Sequence, residues 1–492
     1  MKFEHGPTNE IIKWFEEITK IPRCSKKEEK IAAWLKDWAK EHNFESKEDK
    51  VGNIVIKVPA SPGYENAPIT VLQGHMDMVC EKTPDSDHDF SKDPIKLVYD
   101  GDWLTADRTT LGADNGIAIA MAMAAAVDKD SPHPPLELLF TVDEETGLTG
   151  ANELQPGFIE GKLLINIDSE DEGVFTVGCA GGINTTSKVP LEFEKVPSGY
   201  TQIKVIAGGM KGGHSGIDIA MEKANAIIVL GRALKQIVDS KIDLRVAQME
   251  GGSAHNAIPR DAQTVAFVPA DKLKDVTRII DEMTDTLKSE FINTDPDLNV
   301  KATEDTSGGV EKAATNAGTV KLLNYVLAMP HGVAAMSTDI KDLVETSNNF
   351  ANIKIEDEAV HVLTSQRSSI VSRLQAHTNA IEAVAILAGG EAKSGDGYPP
   401  WPPNMDSPLL AKSTKLYKKM FDKEPVVEVI HAGLECGIIG DKNPGMDMIS
   451  IGPDLRYPHS PDEKVSISAV GKVWDFMAEL LKELKSADDL MA

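Results

Sequence analysis

Five clusters of carboxylate and imidazole side chains along this 492-residue chain have the composition of a metal-assisted hydrolytic site. The most telling is Thr141–Gly147, Thr-Val-Asp-Glu-Glu-Thr-Gly, directly after the apolar run Leu136–Phe140. It reads as a buried strand ending in a turn tipped by Glu144 and Glu145. An unpaired buried carboxylate is costly, so two at a buried strand end call for a neutralising partner. The other clusters are His75-Met76-Asp77, Asp114 within Gly112-Ala113-Asp114-Asn115, Asp168 within Asn166-Ile167-Asp168-Ser169, and His459 within His459-Ser460-Pro461-Asp462.

Each cluster alone has a plainer reading. His75-Met76-Asp77 could be a surface turn, Asp114 a helix N-cap, Asp168 a cap on the following turn, and the glutamate pair simply exposed. Together they describe a two-metal centre. Residues two apart in an extended segment face the same side, so Asp77 can accept the second N–H of His75 and fix its tautomer. Asp114 can bridge two ions, Glu145 can bind metal, and Glu144 can act as base. The carboxylates of Asp114, Glu145 and Asp168 with one bridging hydroxide balance two divalent cations while His75 and His459 stay neutral. A His/Asp/Glu set without cysteine suits two zinc ions, with cobalt or manganese as substitutes.

The elements that must position these residues follow from apolar periodicity. Strand-like runs at Asn53–Val58, Ile69–Gln73, Leu136–Val142, Lys162–Ile167 and Val174–Val177 alternate with helical segments, including the alanine- and methionine-rich Ile117–Val127. That alternation predicts a doubly wound, mostly parallel α/β sheet, whose ligands bind beyond the carboxyl ends of the strands. His75, Glu144, Glu145 and Asp168 all lie there. A helix over residues 9–20 precedes Ser25-Lys26-Lys27-Glu28, read as a capping box opening a second helix, and residues 81–100 read as an exposed loop. Between Tyr200 and Ala392 the order of strands and helices repeats, the second round starting with a strand at 298–303. This predicts an inserted α+β lid of two successive ferredoxin-like halves. The expected organisation is a catalytic domain in two parts, 1–184 and 395–492, with the lid at 185–394.

Composition narrows the function classes. With 51 basic and 77 acidic side chains the net charge is −26, which argues against nucleic-acid or anionic-membrane partners. No stretch reaches the ~20 apolar residues of a membrane span, and the N-terminus shows no signal-peptide pattern. The four cysteines, Cys24, Cys80, Cys179 and Cys436, have no paired spacing, so they read as small buried residues in a reducing, cytoplasmic protein without disulfides.

The five motifs, in this order along nearly the whole chain, resemble the M20 family of co-catalytic zinc peptidases. Cys179-Ala180-Gly181-Gly182, Gly212-Gly213-His214-Ser215-Gly216 and His431-Ala432-Gly433-Leu434-Glu435-Cys436-Gly437 look most like its bacterial aminoacyl-histidine dipeptidase branch. The resemblance implies that His75 and Asp168 bind one zinc, Glu145 and His459 the other, and Asp114 both. It implies catalytic roles for Asp77, which orients His75, and for Glu144, the general base that activates a metal-bridged hydroxide. In the lid it implies His214 as an oxyanion donor, Asn256 and Gly433 as substrate contacts, and Arg367 as the grip on the substrate carboxylate, with Arg373 the alternative. The expected activity is hydrolysis of dipeptides, Xaa-His such as carnosine included, by a monomer or homodimer. An aminoacylase or carboxypeptidase of the same chemistry is the alternative, and a non-catalytic peptide- or zinc-binding protein the reading from another class.

Overall fold

The computed structural model describes residues 3–338 and 340–486, which form two compact units. One contains the chain up to Cys179, Trp401–Val429 and the chain from Leu434; the other contains Ala180–Pro400 and Ile430–Gly433.

The first unit is built on an eight-stranded sheet in the order Glu45–Glu48, Ile54–Val58, Leu136–Thr141, Thr70–His75, Leu163–Asn166, Asp447–Ser450, Val174–Cys179, Val426–Ile430. The four strands from Leu136–Thr141 to Asp447–Ser450 pair in parallel. Antiparallel strands extend the sheet on either side. Every residue of Thr70–His75, Leu136–Thr141 and Leu163–Asn166 is buried, as expected for parallel strands covered on both faces. The Ala113–Val127 helix is almost wholly buried from Asn115 onward, its small side chains letting it lie close against the sheet. The doubly wound expectation therefore describes this unit. A smaller four-stranded sheet uses Leu97–Asp100 and Trp103–Ala106, so the segment read as loop at 81–100 ends in a strand.

The second unit is an antiparallel sheet whose main path runs Asn299–Glu304, Tyr200–Gly208, Ala262–Pro269, Arg245–Gly251, Val344–Glu356, Ala359–Ser368, Gly181–Pro190, Glu391–Ser394. Numbered by their place in each half, the strands lie 4-1-3-2 and then 2-3-1-4, the two halves meeting at Glu250↔Lys354 and Gly251↔Ile353. Each half carries two helices, Ala226–Asp239 and Leu273–Glu290 in one, Asn316–Ala328 and Val371–Leu387 in the other. Two ferredoxin-like halves are present, but they are nested, not successive. The strand at 299–304 pairs with Tyr200–Gly208 and completes the first half. The opening strand of the second half is Gly181–Pro190, paired with both Ala359–Ser368 and Glu391–Ser394.

Two further expectations are corrected. Ser25 does not cap the Glu29–Glu41 helix, whose N-cap Glu28 makes no side-chain capping bond; Lys26 takes a left-handed φ of 66°, and the Ser25 hydroxyl turns away to donate to Asp77. Cys24 and Cys80 form a disulfide, while Cys179 and Cys436 are buried and take no part in it. The disulfide was invisible because its cysteines are 56 positions apart. They meet because Cys24 runs alongside Met78 in a parallel bridge, with Met78 N–H donating to the Arg23 carbonyl at 3.1 Å. Among the described residues no helix is long and apolar enough to cross a membrane.

Candidate active site

The parallel strands deliver the acidic and imidazole groups in register. His75 ends the Thr70–His75 strand opposite Thr141, and Glu144 and Glu145 follow shortly beyond that strand end. Asp168 lies two residues beyond Asn166, the end of the next strand, so it shares the face of Asn166 and, through their pairing, of Gln73. Asp114 comes from behind, at the start of the Ala113–Val127 helix. The plainer N-cap reading fails here: Gly112 is the N-cap, at a left-handed φ of 71°, and Asp114 is non-helical, with a cis peptide to Asn115. A side chain at 112 would place its Cβ 2.5 Å from Arg23 Nη2 and 2.7 Å from Met78 Sδ, so this turn requires glycine.

Asp114 stands between two imidazoles. Its Oδ1 is 3.0 Å from His75 Nε2 and its Oδ2 is 3.2 Å from His459 Nε2. Asp168 Oδ1 lies 3.6 Å from the same His75 nitrogen, and Glu145 Oε2 lies 2.9 Å from the same His459 nitrogen. Two donor groups result, His75 with Asp168 and His459 with Glu145, sharing Asp114. Behind them Asp77 approaches His75 Nδ1 at 3.2 Å, too obliquely for a linear hydrogen bond. Asp77 accepts the backbone N–H groups of Glu144 and Glu145 at 3.0 and 3.3 Å and the Ser25 hydroxyl at 2.8 Å. Asn115 ties its neighbours together, donating to Asp168 Oδ1 at 2.6 Å and accepting the His75 N–H at 3.2 Å.

The electrostatics are those of a site short of positive charge. Burial pushes the Glu144 carboxyl well above its usual range; His75 opposes the rise, and Glu145, Asp168 and Glu435 add to it. Burial likewise raises Glu145, with Asp114 contributing, and it raises Asp168 against the pull of His75. Hydrogen bonds that His459 donates to the carboxylates of Asp114 and Glu145 raise it to about 11. His75 is raised too, the carboxylates of Asp168, Asp114 and Asp77 outweighing its burial. Glu145 Oε1 is buried without a hydrogen-bond partner among the described residues. Donor atoms of His75, Asp114 and Glu145 all lie within 4.8 Å of one another. An oxygen-and-imidazole donor set with an unsatisfied buried carboxylate oxygen fits divalent cations of the zinc, cobalt or manganese type.

Supporting residues that the sequence reading missed lie beneath this rim. Glu435, fully buried, accepts Gln73 Nε2 at 2.6 Å and Thr141 Oγ1 at 2.7 Å. Gln73 accepts from Asn166, and Asn166 from Ser450, so a polar rung crosses the sheet one step below the metal-ligand candidates. Arg23 donates to the carbonyls of Met76, Asp77 and Gly112. Glu463 accepts four successive backbone N–H groups, Leu111 to Asp114. Of the three charged residues only Glu463 lies near a ligand motif in sequence, four residues past His459, whereas Arg23 and Glu435 are far from any.

The remaining candidates lie in the second unit. His214 pairs through the backbone with Ala257, beside Asn256, and both His214 and Asn256 line a cavity of about 930 Å³ with Lys211, Arg260 and Asp261. The N–H groups of Gly216 and Ile217 donate to His214 Nδ1 at 3.3 and 3.2 Å, which places the ring proton on Nε2. Arg367 is buried, its Nη1 donating to the Tyr398 hydroxyl at 2.9 Å and its Nε without a partner among the described residues. Arg373 is half-exposed and paired with Glu345 at 2.9 Å. The Tyr398 ring covers Gly433, where an added Cβ would fall 2.8 Å from it. Near Arg367 and His214 sits His431, Nε2 2.7 Å from the Ser347 hydroxyl; burial, with Arg367 adding to it, lowers its pKa to about 3.

Comparison with known proteins gives a consistent answer. Residues 71–483 match peptidase family M20/M25/M40, and the chain belongs to this family. It is 41% identical over 471 residues to the cytosol non-specific dipeptidase of Escherichia coli, covering 96% of each chain. The crystal structure of aminoacylhistidine dipeptidase from Vibrio alginolyticus superposes with a TM-score of 0.85 at 38% identity, over 98% of this chain and 97% of that one. The aminopeptidase PepT of Bacillus cereus, at 16% identity and a TM-score of 0.57 over 97% of this chain and 98% of that one, shares the fold.

Proposed function

We propose that this member of the M20/M25/M40 peptidases is a two-zinc dipeptidase that cleaves short peptides, Xaa-His dipeptides included, in the cytoplasm. The observation that carries the reading is the placement of Asp114 between His75 with Asp168 and His459 with Glu145. Similarity to dipeptidases of E. coli and Vibrio alginolyticus supports the substrate class.

In this reading His75 and Asp168 would hold one cation and Glu145 and His459 the second, with Asp114 able to serve both. Divalent cations there would supply a Lewis acid for the scissile carbonyl and a lowered water pKa. Glu144 accepts a proton from the attacking water and returns it to the leaving amine. Asp77 keeps His75 in one tautomer and, through two backbone N–H groups, holds Glu144 and Glu145 in place. We assign lid roles to the segment 185–394. There His214 would donate its Nε2 proton to the oxyanion, Arg367 would bind the terminal carboxylate and Asn256 would contact the peptide; Gly433, outside that segment, would contact it too. Arg373 is the weaker candidate because Glu345 already engages it.

The test is turnover by the zinc-loaded enzyme on Ala-His, Ala-Leu, a tripeptide and an N-acetyl amino acid. Cleavage of the two dipeptides with little turnover of the others is the expected result. Preference for the acetylated substrate would move the assignment to an aminoacylase, preference for the tripeptide to a carboxypeptidase or tripeptidase. No turnover of any of them would favour a binding protein.

A further inference from the structure

Glu463 lies four residues beyond His459 in His459-Ser460-Pro461-Asp462-Glu463 and is 2% exposed. Its side chain reaches the segment that carries Asp114. Oε2 accepts the N–H groups of Leu111 and Gly112 at 2.8 and 3.0 Å, and Oε1 those of Ala113 and Asp114 at 2.8 and 3.2 Å. Four consecutive N–H groups converging on one carboxylate make an anion-binding nest in the non-helical turn that leads into the helix. Here the chain supplies its own anion. The last of the four N–H groups belongs to Asp114 itself.

Arg23 holds the same turn from its other side. Its Nη2 donates to the Gly112 carbonyl, and its Nη1 donates to the carbonyls of Met76 and Asp77 at 3.1 and 2.9 Å. The His459 segment is thereby tied to the Asp114 turn by Glu463, and the Asp114 turn to the His75–Asp77 segment by Arg23. Three segments that contribute metal-ligand candidates meet through one carboxylate and one guanidinium. The hydrogen bonds of both side chains run to main-chain groups.

We propose that Glu463 is a positioning residue of the metal centre. By clamping Leu111–Asp114 it sets where the Asp114 carboxylate stands between His75 and His459, and Arg23 completes the clamp. The inference rests on the two-metal reading of the site. A residue that only capped the Ala113–Val127 helix would affect stability alone; a positioning residue changes metal affinity and turnover in protein that remains folded.

The variants are Glu463→Gln, which keeps the volume but turns one oxygen into an N–H donor facing N–H groups, and Glu463→Asp, which keeps the charge but falls a methylene short. Arg23→Lys, which keeps charge but cannot bridge the carbonyls, covers the case in which a Glu463 variant fails to fold. Ser407→Ala, which removes the cap of the Pro408–Phe421 helix, is the destabilised control with an intact site. Zinc affinity and stoichiometry are read by competition with a chromogenic chelator, folding by near-ultraviolet circular dichroism, and kcat and KM on a dipeptide. The expected result is two zinc ions in the wild type and in Ser407→Ala. Zinc affinity and kcat should fall about tenfold or more in Glu463→Gln, Glu463→Asp and Arg23→Lys, with KM within about threefold. Folded Glu463 variants with wild-type zinc affinity and kcat would overturn the proposal. So would Glu463→Asp matching the wild type while Glu463→Gln fails, since charge alone would then suffice. A wild type that binds no zinc would remove the two-metal reading itself, a result distinguishable because the variants need not be compared.

Discussion

Asp77→Asn is the sharpest perturbation available at this site, because one buried carboxylate touches three functional side chains or their backbones. Asp77 accepts from Glu144 N–H, Glu145 N–H and Ser25 Oγ–H and faces His75 Nδ1 at 3.2 Å. The amide is isosteric, so the cavity survives. Its single oxygen serves best on the side of Glu144 N–H and His75, which puts the amide NH2 where Oδ2 stood. Ser25 can rotate to accept there, but the Glu145 N–H at 3.3 Å then meets a donor. The lost interactions are one weak N–H bond and the negative charge opposite His75. Groups that orient metal-bound histidines are worth roughly 10–100-fold in metal affinity, or about 1.4–2.7 kcal/mol. The expectation is a zinc affinity lowered by that factor and a kcat lowered at least as much, since Glu144 shifts together with His75. Chelator competition gives the first quantity and steady-state hydrolysis at saturating zinc the second. If Asp77→Asn keeps both zinc affinity and kcat/KM within about twofold of the wild type, the orienting role is wrong. If zinc affinity falls but kcat at saturating zinc does not, the link from Asp77 to Glu144 is wrong.

Glu144→Gln should lower kcat by about 10²–10⁴-fold while two zinc ions stay bound, checked by metal analysis of the purified variant beside its kinetics; a kcat within about tenfold of wild type would remove Glu144 as the base. His431 is buried with a pKa of about 3 against about 6.5 when exposed, so unfolding between those values takes up a proton. The stability it contributes is complete above pH 6.5 and lost as pH falls, by about 2 kcal/mol at pH 5. Urea unfolding of the wild type and His431→Gln at pH 7 and pH 5 should show a smaller acid loss in the variant, and equal losses would refute this. The Cys24–Cys80 disulfide closes a loop with a sequence separation of 56, so reduction should cost up to about 4 kcal/mol on the chain-entropy account. Thiol titration of unreduced, denatured protein should find Cys179 and Cys436 alone; four thiols would show the pair reduced.

How much of the site was legible depends on where its information lies. His75, Glu144, Glu145 and Asp168 stand at or just past apolar strands, and parallel strands place their carboxyl ends together, so local pattern alone points to convergence. Asp114 and His459 needed the other motifs, because an aspartate before a helix and a histidine in a proline-flanked loop have ordinary explanations. The supporting residues could not be read in this way. Glu463 acts on main-chain N–H groups about 350 positions away, Arg23 on carbonyls, and Ser25 on Asp77. Backbone groups are the same at every position, so a side chain that recognises them leaves no complementary residue to find. Ser25 shows the cost: its spacing to Glu28 satisfied a local rule for helix capping, while a buried carboxylate offered its hydroxyl a stronger acceptor.

The same limit explains the nesting of the second unit. Period and length identify each strand and helix, and the repeated order revealed two similar halves. Which half owns a strand, however, is decided by its hydrogen-bonded neighbour. Asn299–Glu304 directly precedes the helices and strands of the second half in sequence, yet it pairs with Tyr200–Gly208 through six successive residues from Ile203↔Glu304 to Gly208↔Asn299. Gly181–Pro190, which precedes the whole first half in sequence, fills the vacancy through ten pairs with Ala359–Ser368. Because its partners Ala359–Ser368 and Glu391–Ser394 lie so far along the chain, the first half is enclosed by the second. Removing residues 200–304 should therefore leave Gly181–Pro190 able to pair with both partners, whereas truncating the chain between 304 and 316 should strand it. Expression of these two deletions, compared by near-ultraviolet circular dichroism and by proteolysis of the Gly181–Pro190 segment, separates nesting from simple succession. Equal protease resistance of that segment in both would refute its assignment to the second half.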